Sequence, residues 1–169
     1  MDTAFPFGTY SFQTNTGLTA ALNYLLDAYT SDIPALDAAT FNALQGMNPS
    51  QPFTFHFNSF TPSANASSAA TFLTVFGSSF GAGGLSPAST SAPMPANTLL
   101  PNTTYQYELD FSDRVSGSDP NSGVPTLIGF DVRTDGTFTT GTVPEASSMV
   151  PLAAAFLGFA ALRLRRKAR

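Results

Sequence analysis

The chain has no cysteine and no tryptophan, a single histidine, and only two basic side chains, Arg114 and Arg133, in its first 162 residues. Without cysteine there is no disulfide framework, no thiolate metal site and no cysteine nucleophile. The other five basic residues, Arg163, Arg165, Arg166, Lys167 and Arg169, fall in the last seven positions. Residues 1–162 therefore carry 2 basic against 11 acidic groups, a net of −9, and the tail carries +5. An acidic body repels phosphate backbones, which argues against a nucleic-acid partner. The opening Met1-Asp2-Thr3-Ala4-Phe5-Pro6 has neither a basic n-region nor an apolar h-region, so it is not a secretory signal peptide.

What is abundant is phenylalanine: 16 Phe and 5 Tyr stand in a 169-residue chain that is only 11% charged. That length suits one compact domain plus a tail, and the Phe, Tyr, Thr and Val usage favours strands over helices. Phe7 to Gln13 alternates with Tyr10 and Phe12 on one face, as a short strand does. Leu18, Leu22, Leu25, Leu26 and Tyr29 recur at helical spacing with Thr16 as a cap, which predicts a first helix. A second is expected over roughly 33–45, with Asp32 as N-cap, Pro34 in the first turn and Gly46 closing it.

After Pro52 the period changes to two. Phe53, Phe55 and Phe57 share one face, and Thr54, His56 and Asn58 the other. The segment 61–104 is rich in Ser, Ala, Gly, Pro and Thr and reads mostly as loop, with one strand near 70–76. Tyr105, Tyr107, Leu109 and Phe111 then alternate with Gln106, Glu108 and Asp110, the clearest strand in the chain. After a turn-rich stretch at 117–123, Ile128, Phe130 and Val132 mark a strand over 126–134, and Asp135-Gly136 reads as a hairpin turn into 137–142. The expected fold is mainly β: an antiparallel β-sandwich-like domain with two short N-terminal helices, over residues 1–142.

Residues 143–169 have a different organisation. Val143-Pro144-Glu145-Ala146-Ser147-Ser148 precedes an uncharged, largely apolar run to Leu162 and then the basic cluster. The 17 uncharged residues between Glu145 and Arg163 would span about 25 Å as a helix, against a hydrocarbon core of about 30 Å. Snorkelling of Arg163 and local thinning close the gap, so a single transmembrane helix over 149–162 with a basic tail at 163–169 is expected. Basic flanks stay on the cytoplasmic side, which places the body across the membrane.

Motif, polar spacer, apolar run and basic terminus together resemble the bacterial PEP-CTERM sorting signal. The resemblance covers about 25 residues. It implies recognition of Pro144 and Glu145 by exosortase, a membrane-embedded cysteine transpeptidase, with the helix and basic tail as a transient anchor. Ala146 stands where the family usually has a second Pro. The stretch from Gly129 to Thr140 also looks like the final hairpin of exported proteins with this signal. An export route implies a signal sequence upstream of Met1. The expected setting is the cell envelope, anchored in the inner membrane with the body outside the cytoplasm, then the cell surface or extracellular matrix.

Catalytic chemistry is not expected. His56 sits on the polar strand face opposite three Phe, the position of a solvated histidine. No Gly-x-Ser-x-Gly elbow occurs. Asp110, Asp113, Asp119, Asp131 and Asp135 fall within 26 residues on strand ends and turns; Asp110, Asp113, Asp131 and Asp135 are weak calcium candidates, but turn capping explains such carboxylates equally well and EF-hand spacing is absent. Gly81-Ala82-Gly83-Gly84 lacks the lysine of a phosphate loop. No cofactor is expected. Exposed Tyr and Phe on a sheet would suit an extracellular polysaccharide, although period-two placement equally predicts core.

Overall fold

The computed structural model describes residues 6–119 and 122–143. Eight strands and one short helix follow in the order β1 (Gly8–Gln13), β2 (Thr19–Tyr24), α1 (Ala38–Leu44), β3 (Phe53–His56), β4 (Ser68–Val75), β5 (Gly81–Leu85), β6 (Ser91–Met94), β7 (Thr104–Ser118) and β8 (Pro125–Thr139). They form three antiparallel sheets: β1-β2, β3-β6 and the four-stranded β5-β4-β7-β8. Among these residues no helix is long and apolar enough to cross a membrane. The transmembrane helix expected over 149–162 lies outside the described residues.

Strand β7 organises the largest sheet. Its alternation sends Tyr105, Tyr107, Leu109 and Phe111 inward, each 5% exposed or less, while Gln106, Glu108 and Asp110 face out. The strand pairs with β8 over fifteen residue pairs without a register shift. Phe55 from β3, Phe57 just after it, and Ala92 and Met94 from β6 join Leu73, Val75, Tyr105, Tyr107, Leu109 and Phe138 in one buried cluster, so two sheets share a core. Phe55 stacks on Phe80 at 5.4 Å between centroids, and Tyr105 on Phe138 at 5.8 Å.

Three sequence expectations are corrected. The first helix is a strand. Thr14, Thr16 and Gly17 build a tight turn, with Gly17 at φ +82° and the Thr14 N–H donating to Leu18 O at 2.8 Å, which folds β2 back on β1. Leu18 and Leu25 remain 71% and 70% exposed, so the helical spacing of these leucines corresponds to no buried stripe. Only one helix follows, shorter than expected. Its N-cap is Asp37, whose Oδ1 accepts from the Thr40 N–H at 2.6 Å. Those hydrogen bonds hold the Asp37 carboxyl below the ordinary carboxylate range. Asp32 instead accepts from the Thr61 N–H, and Gly46, at φ +76°, ends the helix as expected.

The second correction concerns 61–104, where β5 and β6 are strands in addition to the one expected near 70–76, which is β4; most of the stretch lies outside strands, as expected. Small residues can line a strand wherever a large neighbour packs on them. Gly83 lies under the Phe72 ring, which a Cβ there would approach to 3.0 Å.

The third is Asp135-Gly136. No hairpin turn forms; β8 runs straight through, with Gly136 opposite Tyr107 and Asp135 opposite Glu108. A Cβ on Gly136 would come within 2.5 Å of the Tyr107 ring, so the glycine leaves room for an aromatic side chain that covers the backbone of the next strand.

Gly136→Ala is therefore expected to cost about 1 to 3 kcal/mol by overpacking. Gly129→Ala on the same strand, where the nearest neighbours are Asp131 carboxylate oxygens at 3.8 and 3.9 Å, should stay within about 0.5 kcal/mol of the parent. Urea midpoints of the two variants check this, and equal midpoints would contradict the packing argument.

Candidate functional site

Two surface grooves meet at Gly129 of β8. The first lies on the outer face of the four-stranded sheet, where the β7 alternation presents Glu108, Asp110, Ser112 and Arg114. Register sets Asp110 between Phe72 of β4 and Arg133 of β8, and Ser112 beside Asp131. The groove encloses about 540 Å³. Its charges are interleaved. Arg133 pairs with Glu108 at 3.3 Å, and the Arg114 guanidinium lies 5.6 Å from the Phe72 ring centre. Asp110 is the perturbed group. Loss of solvent, reinforced by Asp131 and Glu108, outweighs the pull of Arg133 and Arg114 and pushes its carboxyl up to about 6. Its Oδ1 is buried with no hydrogen-bond partner among the described residues.

The second groove, about 350 Å³, lies between the β1-β2 hairpin and β8 and is aromatic. The hairpin register sets Tyr10 against Leu22 and Phe12 against Ala20, which brings Tyr10, Phe12, Leu22 and Tyr24 to one face. Phe130 and Ile128 of β8 form the opposite wall, with Tyr29 beside them. Tyr24 and Tyr29 both contact Phe130, at 6.0 and 5.1 Å between centroids. The Tyr10 hydroxyl donates to Pro6 O at 2.6 Å, and the Tyr24 hydroxyl donates to the Asp27 carboxylate, so both rings are fixed at their polar ends. Phe12 and Tyr29 keep 57% and 38% of their surface exposed. The sequence pattern shows Tyr10 and Phe12 sharing a face. It hides the groove because the other wall comes from a strand more than a hundred residues away and because Leu22 and Tyr29 fall in a helical spacing.

The candidate calcium ligands are divided between faces. Asp110, Asp131 and Asp135 belong to the outer face, with Asp135 opposite Glu108. Asp113 points the other way and is fully buried; its Oδ2 accepts from the Ser63 N–H at 2.9 Å, and its carboxyl is raised by burial, with the Ser63 hydrogen bond opposing. Asp119 holds a turn together, accepting from the Ser122 N–H at 3.1 Å and from the Ala21 N–H of β2 at 2.6 Å. Among the described residues no three His, Asp or Glu groups are placed to hold a metal ion.

His56 is exposed on β3, opposite Ser91 of β6. Asp37 lies near it, but that carboxylate caps α1, and no hydrogen bond among the described residues joins the imidazole to Ser91 or Asp37. The juxtaposition does not make a nucleophile–base pair. Gly81 to Gly84 belong to β5.

Of the sorting motif, Val143 is the last described residue and is 40% exposed. Pro144, Glu145, Ala146 and Ser147, and the basic residues Arg163, Arg165, Arg166, Lys167 and Arg169, lie outside the described residues. Just before Val143, the Gly141 N–H donates to Met47 O at 2.7 Å and its carbonyl accepts from the Asn102 N–H at 3.2 Å. Compared with known proteins, the chain matches no family model, no curated protein and no solved structure.

The perturbed carboxyl has a testable consequence. The folded state holds the Asp110 proton more tightly than the unfolded chain does. The stability this group contributes is thus complete below its ordinary value near 4 and is lost as pH rises through about 6. Asp110→Asn, neutral throughout, is expected to have a higher urea midpoint than the parent at about pH 7.5, and the difference should shrink as pH approaches about 4. An offset independent of pH would show that the carboxyl is not destabilised when ionised.

Proposed function

We propose that the chain is an exported cell-surface or extracellular-matrix protein, sorted through residues 143–169 by an exosortase-type transpeptidase and held in the membrane by that segment until released. The observation that carries this reading is the order of Val143-Pro144-Glu145, a polar spacer, an uncharged apolar run and a terminal cluster of five basic residues. A proline keeps the recognition segment out of a helix, Glu145 favours the water interface, and the basic cluster fixes orientation. The folded body adds support of a different kind. Gly141 is the last of the described residues tied to it by backbone hydrogen bonds, and Val143 is exposed, so the motif follows the body directly. In this reading the body is cargo and is not an enzyme.

A protein with a C-terminal tag, expressed in an exosortase-bearing bacterium, is expected to lose the tag in the parent strain and keep it, in the membrane fraction, when the exosortase gene is deleted. Retention of the tag in both strains would count against sorting by this route.

A second reading concerns what the body does after export, and the aromatic groove favours it. Tyr and Phe faces held at fixed angles beside a strand offer stacking surfaces for the C–H faces of sugar rings, with the tyrosine hydroxyls as polar tips. The groove near Phe130 lies about nine residues, or roughly 30 Å along β8, from Thr139, the last residue of the strand. A body anchored at residue 143 would hold the groove well away from the membrane. Affinity electrophoresis in gels containing extracellular polysaccharide is expected to retard the parent protein, and Phe12→Ala with Tyr29→Ala to abolish the retardation without changing the circular dichroism spectrum. Unretarded parent protein on every polysaccharide tried would remove this reading and leave the sorting one intact.

A further inference from the structure

Strand β8 is the outer strand of its sheet, and along most of its free edge no described residue pairs with it. Its even-numbered residues pair with β7, as the Thr140 N–H bond to Thr103 O continues past the strand end. The odd-numbered ones turn their N–H and C=O groups outward. At the C-terminal end these groups are satisfied: the Gly46 N–H donates to Thr139 O at 2.8 Å and Gln45 Nε2 to Thr137 O at 3.4 Å. From Leu127 to Asp135 no described residue hydrogen-bonds to them. Proteins usually blunt such an edge with a proline, a bulge or charged side chains, lysine above all. Residues 126–139 contain neither proline nor lysine, and the register with β7 never shifts; the edge carries instead the mixed charges of Asp131, Arg133 and Asp135.

The side chains along this edge are self-complementary. Asp131, Arg133 and Asp135 are exposed in sequence on the outer face. In an antiparallel pairing of two copies about a two-fold axis at Val132, Asp131 of each copy faces Arg133 of the other, and Gly129 faces Asp135. These odd-numbered pairs are the ones whose backbone groups point outward, so they exchange hydrogen bonds. Moving the axis by one residue sets Arg133 against Arg133 or Asp131 against Asp131, which repel. Moving it to Thr134 restores opposite charges but drives Gly129 of the second copy onto Thr139, whose carbonyl is already taken by Gly46. Arg133 is free to turn toward a second copy, since its side chain is 64% exposed and its contact with Glu108 is a surface pair.

We infer that β8 is a self-association edge through which two copies of this chain join antiparallel about Val132 into one continuous eight-stranded sheet, with reciprocal Asp131–Arg133 pairs fixing the register. The occupant is a second copy because the charge order that suits this edge is its own reversed. Pairing also brings the outer-face grooves of both copies to the same side, since the two-fold axis runs perpendicular to the sheet.

The absence of cysteine makes the register directly readable. In this pairing the two Val132 residues are a directly opposed, non-hydrogen-bonded pair with Cα atoms about 4.5 Å apart, within disulfide range. The two Thr134 residues are offset by four positions, about 13 Å, beyond that range. In the full chain, held in mild detergent and gently oxidised, Val132→Cys is expected to run as a dimer on a non-reducing gel and Thr134→Cys as a monomer. Adding Arg133→Asp to Val132→Cys should abolish most of the cross-link, and adding Asp131→Arg to that pair should restore it. Sedimentation of the uncrosslinked parent should give a dimer. A monomeric parent, equal cross-linking at 132 and 134, or failure of the charge swap to restore the cross-link would each overturn the inference.

Discussion

Strand β7 carries two faces that cannot be exchanged. Its period of two sets Tyr105, Tyr107 and Leu109 in one core with Phe55, Phe80 and Phe138, stacks Phe111 on Phe60, and sets Gln106, Glu108, Asp110 and Ser112 on the opposite side or at its margin. A slip of one residue would bury the acids and expose the rings, so the register is held firmly. Everything beside it inherits that register. Gly136 must lie opposite Tyr107 because the ring needs the space, and Asp131 and Arg133 take the outer face because their neighbours on β7 do. Asp110 is the cost of this arrangement: four carboxyl groups and two guanidinium groups share one sheet face, and Asp110 among them holds its proton to about 6.

Much of this framework is legible in the amino-acid order, where period-two alternation is backed by bulk. The strands at Phe53 and at Tyr105 announce themselves because large rings recur at every second position and must be buried together. The failures have physical causes. Leu18, Leu22, Leu25 and Leu26 satisfy a helical spacing, yet the turn at Thr14 to Gly17 closes a hairpin first and most of those leucines stay exposed. Asp135-Gly136 has the chemistry of a turn, but the same glycine serves equally as the partner of an aromatic ring across a strand pair. That distinction depends on Tyr107, 29 positions away. Strands β5 and β6 escape notice because, apart from Leu85 and Met94, they are built from Gly, Ala, Ser and Pro, which carry little strand signal of their own.

The functional features divide in the same way. The tail signal proposed above, which beyond Val143 lies outside the described residues, is readable from composition and order along the chain alone. The aromatic groove and the edge of β8 are not, because each depends on which segments meet. Both gather at the half of β8 remote from Gly141, where no described residue hydrogen-bonds to the strand's outward backbone groups. A body attached through residue 143 would therefore turn its bare edge and its aromatic groove away from its point of attachment. A protein whose role is to populate a surface has use for an edge and a groove so placed. In this account the tail governs where the protein goes, and the β8 region governs what it meets there.

If the residues beyond the body form a removable anchor, as proposed, the intact mass of the protein recovered from the cell exterior of an exosortase-bearing bacterium will show it. The expected chain ends within residues 143–148 and lacks Arg163 to Arg169, whether or not a further group has been joined to the new terminus. An exterior protein whose mass still includes Arg169 would contradict the proposal.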